Sequence, residues 1–195
     1  MAHSGFGNVL KNGGFRAFLW TQFLGAFNDS VYQTIVALHV GNVHKELVPL
    51  VPAVFTLPSL VFSGYAGHLA DLVSKRRVLI GVKLFEIAIM LFGLTTLISG
   101  WTEGMLLVVF LMGLHAAIFS PAKYGIVPEM LADRDLSRGN ALLEMSTFVA
   151  IVLGIASGGV LFTEWSSAPW RIGAATLAIA AIGFATSLRL SLIHI

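Results

Sequence analysis

Phe18-Leu19-Trp20-Thr21-Gln22-Phe23-Leu24-Gly25-Ala26-Phe27-Asn28-Asp29 stands inside an apolar run from Phe15 to Val40. The run is long enough to cross a bilayer, whose hydrocarbon core takes ~20 apolar residues of helix. A carboxylate in the middle of such a helix costs roughly 2.5–3.5 kcal/mol to insert, so it faces either a neighbouring helix or a cavity. Two roles stay open for Asp29 on this ground: a buried structural acceptor, or a group presented to a ligand or ion.

The rest of the chain has the same character. Of its 195 residues 56% are hydrophobic and 11% charged, and mean hydropathy is +0.85. Soluble domains carry about 25% charged residues, so this chain lacks the polar material for a water-facing surface. It reads as an all-α integral membrane protein. A net charge of +2, with basic residues confined to a few loops, leaves no footprint for nucleic acid. The absence of cysteine excludes disulfides and thiol catalysis.

Apolar runs and the turn signals between them predict six spanning helices, at about 15–40, 47–70, 78–99, 104–126, 140–162 and 170–190. The breaks are Gly41 to Glu46, Asp71 to Arg77, Gly100 to Glu103, Pro128 to Gly139 and Thr163 to Pro169. Trp101, Trp165 and Trp170 fall at span ends, where an amphipathic ring favours the headgroup layer. Of the 12 lysines and arginines, all but Lys45 and Arg171 fall on one side of these spans. Basic loops stay cytoplasmic, which predicts both termini inside. Residues 1–14 are polar and glycine-rich and read as a cytoplasmic N-terminal segment ahead of one six-helix unit over 15–190. No small-residue cleavage site follows a compact apolar core, so the first span reads as a retained helix rather than a signal peptide. Two sets of three spans fit the hydropathy pattern of an internal repeat.

Several constellations are candidates to carry function. Gly67-His68-Leu69-Ala70-Asp71-Leu72-Val73-Ser74-Lys75-Arg76-Arg77 reads as a tight glycine-started turn. Its Asp71 and its basic residues Lys75, Arg76 and Arg77 can latch adjacent helix ends, or can simply fix topology. In Ser120-Pro121-Ala122-Lys123, Pro121 removes a helical hydrogen bond, and Lys123 either snorkels to headgroups or faces inward to a phosphate or carboxylate. Glu144 lies at the level of Lys123 on the next helix, so an interhelical ion pair competes with a ligand role for both. Gly154-x-x-x-Gly158 is a close-packing face. Glu86 follows Lys83 by three residues and reads as its local partner, and His115 reads as a packed histidine among apolar neighbours. No spacing points to a metal or cofactor, a phosphate loop or a nucleophile elbow, so catalysis has no visible home.

The loop over 67–77 resembles the signature between the second and third helices of the major facilitator superfamily, Gly-x-Leu-Ala-Asp followed by a basic run. It departs from it at Leu72, where an arginine often stands, and at Ser74, a frequent glycine. Gln22 to Asp29, Ser120 to Ile126 and Asn140 to Thr147 resemble, more specifically, the bacterial lysophospholipid transporter branch of that superfamily. The resemblance runs from about Phe15 to Leu190. It implies the N-terminal half of a twelve-helix fold that flips lysophospholipids, chiefly lysophosphatidylethanolamine, across the inner membrane for reacylation. It also implies substrate contacts from Asp29, Asn28, Lys123 and Glu144, with Asp29 taking the ammonium and Lys123 the phosphate. Gly67, Asp71, Lys75, Arg76 and Arg77 would form a gating loop. Gly13-Gly14-Phe15-Arg16 resembles the start of relatives fused to an acyltransferase and an acyl-carrier-protein ligase, which makes an acyltransferase a fused or separate partner. Two rival readings remain: a proton-coupled exporter of small molecules, with Asp29 as the proton site, and the membrane domain of a fused phospholipid acyltransferase.

Superfamily members have twelve spans in two halves, so a missing C-terminal six-helix half is an expected partner. Leu190-Ser191-Leu192-Ile193-His194-Ile195 can be encoded by CTGTCTCTTATACACATC, which matches a transposon end used in preparing sequencing libraries. Residues 190–195 are therefore expected to be a non-native tail on a truncated chain, the alternative being a natural six-span protein that pairs with itself.

Overall fold

The computed structural model describes residues 6–190, apart from the side chains at positions 8, 63, 66 and 68–72. The expected non-native tail lies outside the described residues except for Leu190. A short helix α1 (Phe6–Lys11) precedes six long ones: α2 (Gly13–Val43), α3 (Leu50–Leu72), α4 (Lys75–Ser99), α5 (Thr102–Met130), α6 (Leu136–Trp165) and α7 (Pro169–Ser187). Single 3-10 turns at Lys45–Leu47 and Asp133–Asp135 complete the described elements.

Most of the long helices outrun the spans read from hydropathy. Polar residues at headgroup depth still satisfy their backbone groups best inside a helix, so apolarity stops before the helix does. Local chemistry sets several of the ends. The Asn12 side chain accepts from the Phe15 amide at 3.0 Å to cap α2, and donates to the Met130 carbonyl at 2.7 Å at the end of α5. Gly100, with φ 67°, terminates α4 in the left-handed conformation that favours glycine. Pro169 opens α7, where its missing N–H costs nothing.

One expectation is corrected. Gly67 lies within α3, which runs on to Leu72, so the turn is only Val73-Ser74 and does not start at a glycine. Within the N-terminal segment, α1 buries Val9, 1% exposed, in the second apolar core, while Phe6 and Leu10 stay exposed.

The packing is exchange-symmetric. The α2 helix lies along α6 as α3 lies along α5; α4 contacts α5 as α7 contacts α2; and α4 and α7 contact each other. Swapping α2, α3 and α4 for α5, α6 and α7 returns the same set of neighbours. The order of spans makes those triplets run in opposite senses through the membrane, which is the inverted repeat of transporter halves.

Two apolar cores fill the bundle. One gathers Val31, Tyr32, Ile35, Met90, Met105 and Val109. The other gathers Phe15, Phe18, Leu79, Ile126, Met130 and Leu143. Between them, at mid-height, lies a layer of buried polar residues: Gln22 and Asn28 from α2, Lys83 and Glu86 from α4, and His115 from α5. Five helical segments are long and apolar enough to cross a membrane. The remaining long helix, α2, is not among them, because Gln22, Asn28, Asp29, Ser30, Gln33 and Thr34 interrupt its hydropathy.

Candidate functional site

Residues 22, 26, 29 and 33 follow helical spacing, so one face of α2 presents Gln22, Ala26, Asp29 and Gln33 in a line. That face borders two adjoining spaces, called compartments below, that share part of their lining. The wide one, about 500 Å³ and open on one side, is lined by Val51, Pro52 and Phe55 of α3 and Ile151 and Ile155 of α6, besides α2. The narrow one, about 170 Å³, takes Gln22 and Gly25 from α2, Lys83 from α4, and His115, Ser120 and Lys123 from α5. Ala26, Asp29 and Thr147 belong to both and mark the junction.

Asp29 is therefore placed where a mostly apolar space meets a polar one. Its Oδ1 is shut off from solvent and has no hydrogen-bond partner. Lys83, Glu86 and His115 lie within electrostatic reach of it. At membrane depth such an oxygen is an unmet acceptor position. The Oε1 of Gln22, in the narrow compartment, is likewise without a donor.

Asn28 turns elsewhere. It is fully buried, lines neither compartment, and donates from Nδ2 to Glu86 Oε1 at 3.3 Å. The Lys83–Glu86 pair foreseen from spacing is present, but both side chains are 1% exposed, inside the bundle rather than near a loop. Lys83 thus does not belong with the loop cations that set topology. His115 is also more than a packing residue: its Nε2 stands 3.4 Å from Glu86 Oε2, and its ring stacks on Phe119. Helical spacing gave the pair within α4; the inward face of a helix that is apolar all round gave no sign of the partners arriving from α2 and α5.

At the narrow end, Lys123 Nζ lies 3.2 Å from Glu144 Oε1 and 3.4 Å from Thr147 Oγ1. The Tyr124 hydroxyl donates to the same Glu144 oxygen at 2.7 Å, and the ammonium sits 5.1 Å from the Tyr124 ring centroid. Lys123 is 8% exposed and lines the narrow compartment, whereas Glu144 lines neither and has a side chain 45% exposed. Gln22, which sequence reasoning did not single out, donates to Thr147 at 2.7 Å and to Ser146 and the Leu143 carbonyl at 3.2 Å each, tying α2 to α6 beside this pair.

The basic run after α3 holds helix ends. Lys75 pairs with Glu129 of α5 at 2.8 Å. Arg76 donates to the carbonyls of Leu190 at 2.8 Å and Leu188 at 3.3 Å, just past α7. Arg77 is exposed, and the Asp71 side chain lies outside the described ones. Among the described residues no group of three or more histidines and carboxylates could hold a metal ion.

Comparison with known proteins adds a family. A model described as Major Facilitator Superfamily matches residues 18–192. The chain is 35% identical over 172 residues to the lysophospholipid transporter LplT of Escherichia coli O1:K1 / APEC, covering 86% of this chain and 40% of that protein. It is 35% identical over 157 residues to the protein of the same name from Escherichia coli strain SE11, covering 78% and 37%. The chain thus spans about two-fifths of the length of these relatives.

Proposed function

The chain belongs to the major facilitator superfamily, and from that premise we propose that it forms one six-helix half of a transporter that moves lysophospholipids across the bacterial inner membrane. The observation that carries this is the position of Asp29 at the junction of a polar and an apolar compartment. A lysolipid is a single-chain amphiphile with a charged headgroup, and these two spaces match its two ends. Asp29 receives a headgroup ammonium and Lys123, released from Glu144, reaches the phosphate as a point charge. The acyl chain runs along Val51, Phe55, Ile151 and Ile155.

In this reading a second six-helix half closes the open side of the cavity, and rocking of one half on the other exposes the site alternately. The end bearing Lys75, Arg76 and Arg77 is cytoplasmic, as are both termini, and with Gly67 and Asp71 this run is the gate. The delivered lysolipid is reacylated inside by a fused or separate acyltransferase. The test is uptake of radiolabelled lysophosphatidylethanolamine by the complete protein. Asp29→Asn and Lys123→Ala should each lower uptake strongly at equal membrane abundance, and wild-type uptake in both overturns the proposal.

A further inference from the structure

The α4 helix packs against α5 and α7, away from the cavity, yet one of its side chains reaches it. Lys83 is the single described α4 residue lining either compartment. It arrives through a gap at Gly25 of α2: a β-carbon added at position 25 would fall 2.8 Å from Lys83 Nζ. On the other flank a β-carbon at Gly183 of α7 would fall 3.3 Å from the same atom. Two glycines on two other helices clear the space for this ammonium, which a local pair with Glu86 does not require.

The partners of Glu86 point the same way. Besides Lys83 it has Asn28 Nδ2 at 3.3 Å and His115 Nε2 at 3.4 Å. Glu86 therefore keeps the Asn28 hydrogen bond if the ammonium turns away. A lysine ammonium carries three donors, and Glu86 takes one of those on Lys83. Lys123 lines the same compartment, as do Thr21, Ser120 and Thr147. The Thr21 and Thr147 hydroxyls donate to the Ala17 and Leu143 carbonyls, which leaves two buried cations and the Ser120 hydroxyl, beside Asp29, around about 170 Å³ as the donors for a tetrahedral oxyanion.

We propose that Lys83, presented through the gap at Gly25, is an anion-binding residue that takes a phosphate oxygen of the cargo opposite Lys123. The identity of the anion as a lysolipid phosphate rests on the reading above; the anion subsite itself rests on the geometry.

The test measures equilibrium binding to the complete protein in lipid nanodiscs with three probes: lysophosphatidylethanolamine, a monoacylglycerol of the same chain, and glycerophosphoethanolamine, which has the headgroup without a chain. Lys83→Gln combined with Glu86→Gln removes the buried charges together, and Gly25→Ala keeps both charges but sets a β-carbon 2.8 Å from the present position of Lys83 Nζ, so the ammonium must shift. Each variant should weaken the phosphate-bearing probes by about tenfold, as for loss of a charged hydrogen bond, and leave monoacylglycerol unchanged. If the double variant does not fold, Gly25→Ala decides. A folded variant that keeps the wild-type preference for phosphate overturns the role of Lys83 while leaving lysolipid transport standing. Wild-type protein with no preference for phosphate-bearing probes overturns the subsite. Binding of glycerophosphoethanolamine, lost in the variants, without binding of lysolipid upholds the subsite and overturns the lysolipid reading.

Discussion

Gly154 of α6 lies directly on the backbone of Phe27 in α2: a β-carbon at residue 154 would come within 2.7 Å of the Phe27 carbonyl oxygen. One turn on, a β-carbon at Gly158 would lie 2.9 Å from the Val31 carbonyl. Gly159 faces nothing within 4 Å. Gly154→Val should therefore destabilise the bundle by ~1–3 kcal/mol through overpacking, while Gly159→Ala should be neutral. Thermal unfolding in detergent checks both, and equal melting of the two variants contradicts the packing.

Lys123 and Glu144 form an ion pair whose acidic partner is half in the open. Such a pair contributes about 0–1 kcal/mol. Glu144→Gln should barely change stability, and Lys123→Ala should act on uptake rather than on folding. A melting curve for each variant beside its uptake rate separates the two effects; a large loss of stability on Glu144→Gln would contradict the shallow pair.

The connection between α2 and α3 should be external, because Lys45 is its single lysine or arginine. Alkaline phosphatase joined after Val43 should be active, and joined after Val73 inactive. The reverse pattern would invert the orientation proposed above.

Purified as a 195-residue chain, the six helices should not flip lysolipid in reconstituted vesicles. Alternating access needs a second body to rock against. Asp29 and the exposed apolar face around Phe148 and Val152 of α6 would meet lipid or another copy of the chain instead. Self-association in crosslinking is expected, and efficient flipping by a monodisperse product would remove the two-half mechanism.

The helices were legible because a bilayer forces each spanning segment to satisfy its own backbone, leaving one apolar run per helix with turn residues between. The tight face at Gly154 and Gly158 was legible for a similar reason, since small residues four apart have few other uses in such a helix. Facing was harder. The α4 helix is apolar around its circumference, so nothing in its pattern says that Lys83 and Glu86 turn inward. His115 looked solitary because its neighbour Glu86 comes from another helix. Gly67 looked like a turn because glycine often is one, yet α3 continues past it for five residues to Leu72.

The polar character of α2 has a consequence for biogenesis. This helix emerges first among the long ones, yet it is not among the segments apolar enough to cross a membrane and keeps Gln22 and Asp29 in its wall. The side chain that receives Gln22 is Thr147, 125 residues later in the chain. At ~10 residues per second, synthesis takes on the order of ten seconds to deliver it. Throughout that interval Gln22 has no Thr147 to bond, so a translational pause before α6 should prolong the exposure of α2 to quality-control proteolysis.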